Sequence, residues 1–269
     1  MNQTATLGAN PAPITIPDAL IDTLRVARSM VFFTGAGASS ESGIPTFRDA
    51  LTGLWERFDA EALATPEAFL NDPALVWGWY EWRRMQVRQA QPHPGHLAMA
   101  ALEECLPAVT VITQNVDDLH ERAGSRRVIH LHGSLLAPRC FDCGHPYRLP
   151  PESLDAPVDG QRLPPPRCPV CHGQVRPGVV WFNEPLPDQA WQTALEACRA
   201  ADLCFVIGTS GLVWPAADLP YQAHQAGARV VQVNPVITRY PNLPTLDLQG
   251  QAGRVLPAIL ERFRAAEAD

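Results

Sequence analysis

The chain has 269 residues, of which 46% are hydrophobic, enough to bury the core of one α/β domain that carries a smaller second module. Its formal net charge of −7 and the lack of a basic stripe argue against nucleic acid as a main partner. No apolar run approaches the ~20 residues that a membrane-spanning helix needs, so no membrane association is predicted.

The first part of the chain predicts a loose leader, a helix and a strand. Residues 1–17 form the leader, which has neither the basic nor the apolar region of a signal peptide, so we expect a cytoplasmic protein. Residues 18–28 carry the apolar face of a short helix that Asp18 can cap. The apolar residues 30–34 predict the first strand.

A glycine turn follows this strand and indicates a phosphate-binding cradle. The turn consists of Gly35, Ala36 and Gly37, where the backbone can bend sharply and approach a ligand. Residues 39–42 can cap the helix that comes next, whose free amide groups attract phosphate. On its own, the motif is explained equally well by a plain tight turn.

The loop after the cradle carries Phe47, Arg48 and Asp49 side by side, between stiffening glycine and proline residues. Such a loop suits folding over a bound nucleotide, and the alternative is a surface loop with a solvated Arg-Asp pair. Residues 55–70 predict short helical pieces that break at Thr65-Pro66.

The next predicted helix, residues 73–90, places Tyr80 and Arg83 on one face, because residues three apart are neighbours on a helix. A phenol and a guanidinium together can bind a carboxylate, the guanidinium through two parallel hydrogen bonds. Arg84 competes with Arg83 by spacing, and an ordinary solvated helix face is the plainer alternative.

Two predicted strands, the first of them buried, then present polar side chains at their carboxyl ends, where open α/β sheets bind ligands. The residues that follow the predicted strands 109–113 and 128–131 are Gln114, Asn115, Asp117 and His132. These groups can bind ribose hydroxyls and a carboxamide, although a turn with a helix cap explains Asn and Asp equally well. His130 and His132 alternate along the chain and should point to opposite faces, one structural and one toward the cleft.

Four cysteines form two CxxC pairs, Cys140 with Cys143 and Cys168 with Cys171. Four thiolates in two short knuckles match a closed tetrahedral zinc site, which is structural because no open position remains. Disulfides are the alternative, disfavoured in a reducing cytosol, and a neighbouring histidine, His145 or His172, can replace a cysteine. The proline-rich stretch between the pairs should depend on the metal for its fold.

The remainder of the chain alternates helices with strands. The predicted helices are 188–200, 216–226 and a last one after Ala252, and the predicted strands are 202–207 and 229–233. The first of these strands ends at Gly208, Thr209 and Ser210, and the second ends at Asn234. The alternation predicts an α/β fold with a doubly wound parallel (Rossmann-like) sheet. A smaller zinc-binding and helical lobe interrupts it.

Motifs between residues 21 and 263 resemble those of the sirtuins. They are GAGASSESGIPTFRD at 35–49, TQNVD at 113–117, the HG step at 132–133, the two CxxC pairs, GTS at 208–210 and VN at 233–234. The resemblance implies an NAD-dependent protein-lysine deacylase that acts on acyl-lysine proteins or peptides and releases nicotinamide and O-acyl-ADP-ribose. Its cofactors would be NAD and one structural zinc ion. The alternatives are a mono-ADP-ribosyltransferase and a non-catalytic NAD or ADP-ribose sensor.

The resemblance also implies roles for single residues around the cofactor. His132 would be the general base, Asn115 and Asp117 would shape the nicotinamide pocket, and Phe47 would shield the reactive sugar from water. The whole cofactor-binding set would be Gly35, Ala36, Gly37, Phe47, Arg48, Gln114, Asn115, Asp117, Gly208, Thr209, Ser210, Asn234 and Ala252. The NAD-binding domain would comprise residues 18–44, 91–135 and 179–269, and the small lobe residues 45–90 and 136–178.

On the substrate side, YEWR at residues 80–83 resembles the Y-x-x-R signature of class III sirtuins, which remove succinyl, malonyl and glutaryl groups. Tyr80 and Arg83 would therefore hold the acyl carboxylate, and Ala64 would leave room for the longer acyl chain. Desuccinylation and demalonylation, with deacetylation beside them, are the expected activities. The peptide would pair with the segment that contains Val180, Trp181 and Phe182. The chain departs from the family at Asn183, where glycine is usual, and at Pro235, where an acidic residue is frequent.

Overall fold

The computed structural model describes residues 14–46, 59–149 and 161–268. Phe47 and Arg48, two of the predicted cofactor-binding residues, lie outside these ranges, as does most of the predicted leader. Within the described ranges, no helix is both long and apolar enough to cross a bilayer.

A six-stranded parallel sheet lies at the centre of the molecule. The strands of the described chain are β1 (Ser29–Thr34), β2 (Ala108–Thr113), β3 (Val128–His130), β4 (Arg139–Cys140), β5 (Val175–Arg176), β6 (Leu203–Ile207), β7 (Arg229–Asn234) and β8 (Thr245–Gln249). The main sheet has the order β3-β2-β1-β6-β7-β8, with every neighbouring pair parallel. This order confirms the predicted doubly wound sheet. Strands β4 and β5 form a separate antiparallel pair.

Helices cover both faces of the sheet. They are α1 (Asp18–Val26), α2 (Gly37–Ser40), α3 (Ala60–Leu63), α4 (Pro66–Asn71), α5 (Pro73–Gln89), α6 (Pro94–Cys105), α7 (Leu119–Arg122), α8 (Asp188–Arg199), α9 (Leu219–Gln225) and α10 (Ala252–Ala268). One core joins α1, α6 and α10 to Phe32 and Phe205, and the other joins α8 and α9 to Val31 and Cys204. Because both faces are covered, all five residues of β6 are buried.

A third core holds the helical part of the smaller lobe together. It contains buried side chains of α3, α4 and α5, among them Phe69 and Trp79, and it reaches Trp181. The predicted break at Thr65-Pro66 has a clear local cause. The Thr65 hydroxyl accepts a hydrogen bond from the amide of Ala68 at 3.1 Å and so caps α4, whose first residue is proline.

One local prediction was wrong, one predicted helix consists of two parts, and one strand was not predicted. Asp18 does not cap α1, since Pro17 occupies the N-cap position, and the Asp18 carboxylate instead pairs with Arg262. The predicted helix 216–226 is divided into a short 3₁₀ segment, Ala216–Asp218, and α9. Strand β8 was not predicted, because only two leucines alternate with polar residues on an edge strand that is partly exposed.

The strand order determines where a ligand can bind. From β1 the chain runs outward to β2 and β3, then returns to place β6 on the other side of β1. In open α/β sheets, the crevice at such a reversal, outside the carboxyl ends of the strands, is the binding site. The segments that follow β1 and β6 are therefore the walls of the candidate site.

Candidate active site

The two glycine turns that follow β1 and β6 interlock. The amide of Gly37 donates to the carbonyl oxygen of Gly208 at 2.8 Å. A Cβ atom on Gly35 would lie 2.7 Å from Cβ of Thr209, and one on Gly208 would collide with the amide of Ala38. Gly208 also has a φ of 59°, in the region that favours glycine. The close packing of one turn on the other thus requires these glycines, independently of any ligand.

The predicted capping role of residues 39–42 was wrong. Helix α2 begins at Gly37 inside the turn itself, so Ser39 lies within the helix and is almost fully buried. The Ser39 hydroxyl donates to Oδ2 of Asp117 at 2.9 Å and accepts from Nδ2 of Asn115 at 2.8 Å. It therefore joins the two residues predicted for the nicotinamide pocket. Sequence reasoning missed this role. The available signal was a run of serines longer than a helix cap needs.

The two carboxylate oxygens of Asp117 have different partners. Its Oδ1 accepts from the amide of Leu119 at 3.1 Å, which stabilises the start of α7, while its Oδ2 belongs to the Ser39 bridge. Burial raises the pKa of this carboxyl group, and the hydrogen bonds from Leu119 and Ser39 lower it. The side chain is 4% exposed, so its geometry is fixed by buried contacts.

His132 is held in one tautomer by the main chain. Its Nδ1 lies 3.0 Å from the carbonyl oxygen of Gln114. A carbonyl oxygen can only accept, so Nδ1 carries the proton and Nε2 has the lone pair. Burial lowers the pKa of His132, partly offset by the bond to Gln114. The imidazole is accordingly neutral at neutral pH, with a basic Nε2.

His130, two residues earlier, lies in a different environment. Its Nε2 contacts Oε1 of Glu121 at 2.6 Å, and its Nδ1 lies 3.3 Å from the carbonyl oxygen of Asn115. Burial lowers the pKa of His130, but the hydrogen bond and charge of Glu121 outweigh burial and raise it overall. His130 is engaged in this ion pair, whereas the main-chain bond of His132 leaves its Nε2 as a basic nitrogen.

The other predicted cofactor-binding residues lie along the same edge. The side chain of Gln114 donates to the Thr209 hydroxyl at 3.1 Å, and the side chain of Asn234 donates to the Thr209 carbonyl at 3.0 Å. Ala252 is the first residue of α10, whose next amide donates to Oε1 of Glu41 at 2.9 Å. Ala36 lies in the first glycine turn and Ser210 in the second.

The acyl-pocket candidates also lie close together, and the structure distinguishes the two arginines. Arg84 forms an ion pair with Glu81 inside the protein. Burial lowers the pKa of Arg83, and the nearby Tyr80 and Asp117 raise it. Tyr80 and Ala64 share one buried cluster with Trp181. Arg83, the arginine that the family resemblance favoured, is thus the one beside Tyr80.

The segment predicted to pair with a peptide is tied to both walls of the site. The amide of Val180 donates to the carbonyl of His132 at 2.8 Å, and the amide of Phe182 donates to the carbonyl of Ala64 at 2.9 Å. The amide of Trp181 donates to Glu184 at 2.8 Å. Because these three amides are already bonded, a peptide strand can pair with this segment only through its carbonyl groups, or it can pair with the residues that follow. Asn183 has a φ of 68°, a conformation that asparagine tolerates, which accounts for this departure from glycine.

The four cysteines form a metal-binding cluster. Sγ of Cys171 lies 3.4 Å from Sγ of Cys140 and of Cys143, and Cys143 lies 3.8 Å from Cys168. Four sulfurs at ~2.3 Å from a tetrahedral zinc ion are about 3.8 Å apart, whereas a disulfide bond is about 2.05 Å long. Among the described residues, the metal-binding cluster consists of these four cysteines and includes no histidine. The geometry fits a structural zinc site and excludes disulfides.

The parallel switch-point sheet, the interlocked glycine turns and the four-cysteine cluster define an α/β protein of the dinucleotide-binding type with a metal-stabilised module. Residues 35–215 match the model of the Sir2 family. An "NAD-dependent protein deacylase" of Methylococcus capsulatus is 58% identical over 247 residues, which cover 92% of this chain and 97% of that protein. The chain belongs to the Sir2 family.

Two solved structures resemble the chain over most of its length. A Sir2 homolog in complex with NAD is 43% identical, with a TM-score of 0.84, and the match covers 94% of this chain and 96% of that one. A complex described as Sir2-p53 peptide-NAD+ is 32% identical, with a TM-score of 0.77, covering 92% and 98% of the two chains.

Proposed function

We propose that the chain is an NAD-dependent protein-lysine deacylase with one structural zinc ion. The observation that carries the proposal is His132, whose Nδ1–H is bound to Gln114 so that Nε2 is a base just beyond β3, at the carboxyl end of the sheet. The Asn115–Ser39–Asp117 bridge beside it and the names of the close relatives support the same activity.

The cofactor site fits NAD on the geometry of the chain. The glycine turns offer backbone without side chains at the carboxyl ends of β1 and β6, which suits a pyrophosphate. By the resemblance to the family, Asn234 and Ala252 would contact the adenosine half, and Asn115 and Asp117 would contact the nicotinamide. NAD, when bound, supplies an ADP-ribosyl group that takes up the acyl group as nicotinamide leaves.

His132 then has a defined task. Nε2 accepts a proton from a ribose hydroxyl, and the Nδ1–H bond to Gln114 keeps the ring oriented and in the right tautomer while it does so. Because burial lowers the pKa of His132, the imidazole is unprotonated before the step and can act as a base at neutral pH. Phe47 and Arg48 are assigned to cofactor binding by resemblance alone.

The acyl preference follows from Tyr80 and Arg83. A guanidinium and a phenol beside each other favour an acyl group that ends in a carboxylate, because both can donate hydrogen bonds to it and the guanidinium attracts its negative charge. Ala64 adds little volume where a longer acyl chain must pass. We therefore propose succinyl-, malonyl- and glutaryl-lysine as preferred substrates, with acetyl-lysine also accepted.

The reduced state of the four cysteines bears on the cellular compartment of the protein. Four thiolates at the distances observed here persist only where disulfides do not form, and this condition favours the cytoplasm as the location.

The decisive experiment is mass spectrometry of succinyl- and acetyl-lysine peptides incubated with the protein, with and without NAD. His132→Ala should abolish turnover, whereas His224→Ala on α9 serves as the matched control and should retain it. Turnover by His132→Ala at the wild-type rate would refute the base assignment. Transfer of labelled ADP-ribose to protein without loss of acyl-lysine would identify a mono-ADP-ribosyltransferase instead.

Acyl preference is tested separately with Arg83→Met. The ratio of desuccinylation to deacetylation should fall by at least about tenfold, the weight of one charge-assisted hydrogen bond. Arg88→Met, on the same helix, is the matched control and should leave the ratio at its wild-type value. An unchanged ratio in Arg83→Met would refute the assignment.

A further inference from the structure

The hydroxyl group of Tyr80 is engaged from one side by a neighbouring indole. Nε1 of Trp181 lies 3.1 Å from the Tyr80 oxygen, and both side chains are buried, at 2% and 3% exposure. An indole N–H is a donor only, so the direction of this hydrogen bond is certain. The Tyr80 oxygen accepts, and its own hydrogen is directed elsewhere.

The Trp181 ring has little freedom to leave this position. The guanidinium carbon of Arg176 lies 3.5 Å from the ring centroid, and the ring of Phe69 lies at 5.4 Å between centroids. Arg176 is in turn bound through both terminal nitrogens to Glu184, at 2.5 and 2.8 Å. The same carboxylate accepts from the Trp181 amide. Backbone and ring of Trp181 are thus held by one ion pair.

This ion pair connects the acyl pocket to the metal module. Arg176 lies on β5, whose residue Val175 pairs with Cys140 of the zinc cluster. The chain of contacts runs from the cluster through Arg176 and Trp181 to Tyr80. The orientation of the Tyr80 hydroxyl is consequently set by a network of contacts and not by rotation about one bond alone.

We propose that Trp181 is a positioning residue for acyl selectivity: its indole N–H occupies the acceptor side of the Tyr80 hydroxyl, so that the hydroxyl hydrogen is presented to the carboxylate of a dicarboxylic acyl group. The inference rests on the proposed preference of Tyr80 and Arg83 for such groups. It adds a residue outside the Y-x-x-R pair. An acetyl group has no carboxylate to receive this hydrogen and gains nothing from it.

The burial of Tyr80 supports its role as a hydrogen-bond donor. It raises the pKa of Tyr80 to about 12, with the charge of Arg83 and the Trp181 hydrogen bond acting in the opposite direction. The phenol therefore keeps its proton at neutral pH and can donate it.

The test is a double-mutant cycle with Trp181→Phe, Tyr80→Phe and the double variant, in the full chain, with kcat and KM measured on succinyl and acetyl peptides. Trp181→Phe keeps an aromatic ring and removes the N–H. We expect the succinyl-to-acetyl ratio of kcat/KM to fall by about three- to tenfold, chiefly through KM for the succinyl peptide. In the Tyr80→Phe background the same substitution should change the ratio no further. Trp191→Phe on α8 is the matched control.

Additive effects, an unchanged ratio in Trp181→Phe, or an equal loss on both peptides would overturn the inference. Arg83→Met separates its failure from that of the proposed function. If Arg83→Met lowers the ratio and Trp181→Phe does not, only the inference fails; if neither lowers it, both fail. Should Trp181→Phe not fold, hydrogen exchange of the ¹⁵N-labelled Trp181 indole in Tyr80→Phe decides. Lost protection supports the contact, and unchanged protection overturns it.

Discussion

His96 on α6 is a buried group that the proposed chemistry does not use, and it should limit stability in acid. Its exposure is 0%, and neither ring nitrogen has a hydrogen-bond partner among the residues that the structure describes. The rings of His93 and His120 flank it at 4.2 and 4.9 Å between centroids. Burial lowers the pKa of His96 to about 2, and the charges of His120 and His93 act in the same direction.

The size of the effect follows from proton linkage. An unfolded histidine titrates near pH 6.5, whereas folded His96 stays neutral down to about pH 2, so below pH 6.5 the unfolded state binds more protons. Stability is therefore complete above about pH 6.5 and falls as the pH decreases. At about pH 5 this one residue should cost about 2 kcal/mol of unfolding free energy.

His96→Leu isolates this contribution. Urea unfolding of wild type and variant at about pH 7.5 and pH 5 should show that wild type loses about 2 kcal/mol more on acidification. Protonation of carboxylates and of the zinc-binding thiolates affects both proteins and cancels in the comparison. Near neutral pH the variant should be at least as stable, since leucine replaces a polar group that lacks a described partner. Losses equal within about 0.5 kcal/mol would refute this account of His96.

Three further predictions concern the cofactor site and the metal. Gly208→Ala should raise KM for NAD by at least about tenfold, because its methyl group meets the amide of Ala38; an unchanged KM would contradict the interlocked turns. Ser39→Ala should lower kcat by about tenfold or more, because it removes the hydroxyl group that is hydrogen-bonded to both Asn115 and Asp117. A wild-type kcat with an intact circular dichroism spectrum would argue against a role for this bridge. Chelation of zinc should lower both Tm and activity, with recovery on adding zinc; full activity in metal-free protein would exclude a structural role.

The parts of the fold that the sequence predicted are those with a local signal. Buried strands such as residues 203–207 are continuous apolar runs, and the glycine turns follow two of them directly. The order of strands then follows from general rules of parallel sheets, which is why the ligand-binding edge was predictable. Strand β8 lacks such a run, and its pairing with β7 depends on tertiary contacts that its own residues do not encode.

The contacts that orient the site residues have no local signal. Ser39 reaches Asp117 across 78 positions, and Trp181 reaches Tyr80 across 101. The sequence around each residue does not indicate its partner. Ser39 is equally consistent with a helix cap, and Trp181 with an ordinary core residue. The motifs named candidate ligand-binding groups, whereas the contacts that Ser39 makes with Asp117 and Trp181 makes with Tyr80 became visible only with the fold.

The interlocked turns bear on how the cofactor binds. Gly37 is bound to Gly208, and Thr209 receives hydrogen bonds from both Gln114 and Asn234. Four segments of the chain therefore hold one another in place through their own groups. These contacts reduce the conformational freedom of the two turns, so this part of the proposed site should pay little ordering cost when NAD binds. The glycines let the two turns touch, and the proposed phosphate site would use the backbone that they leave uncovered.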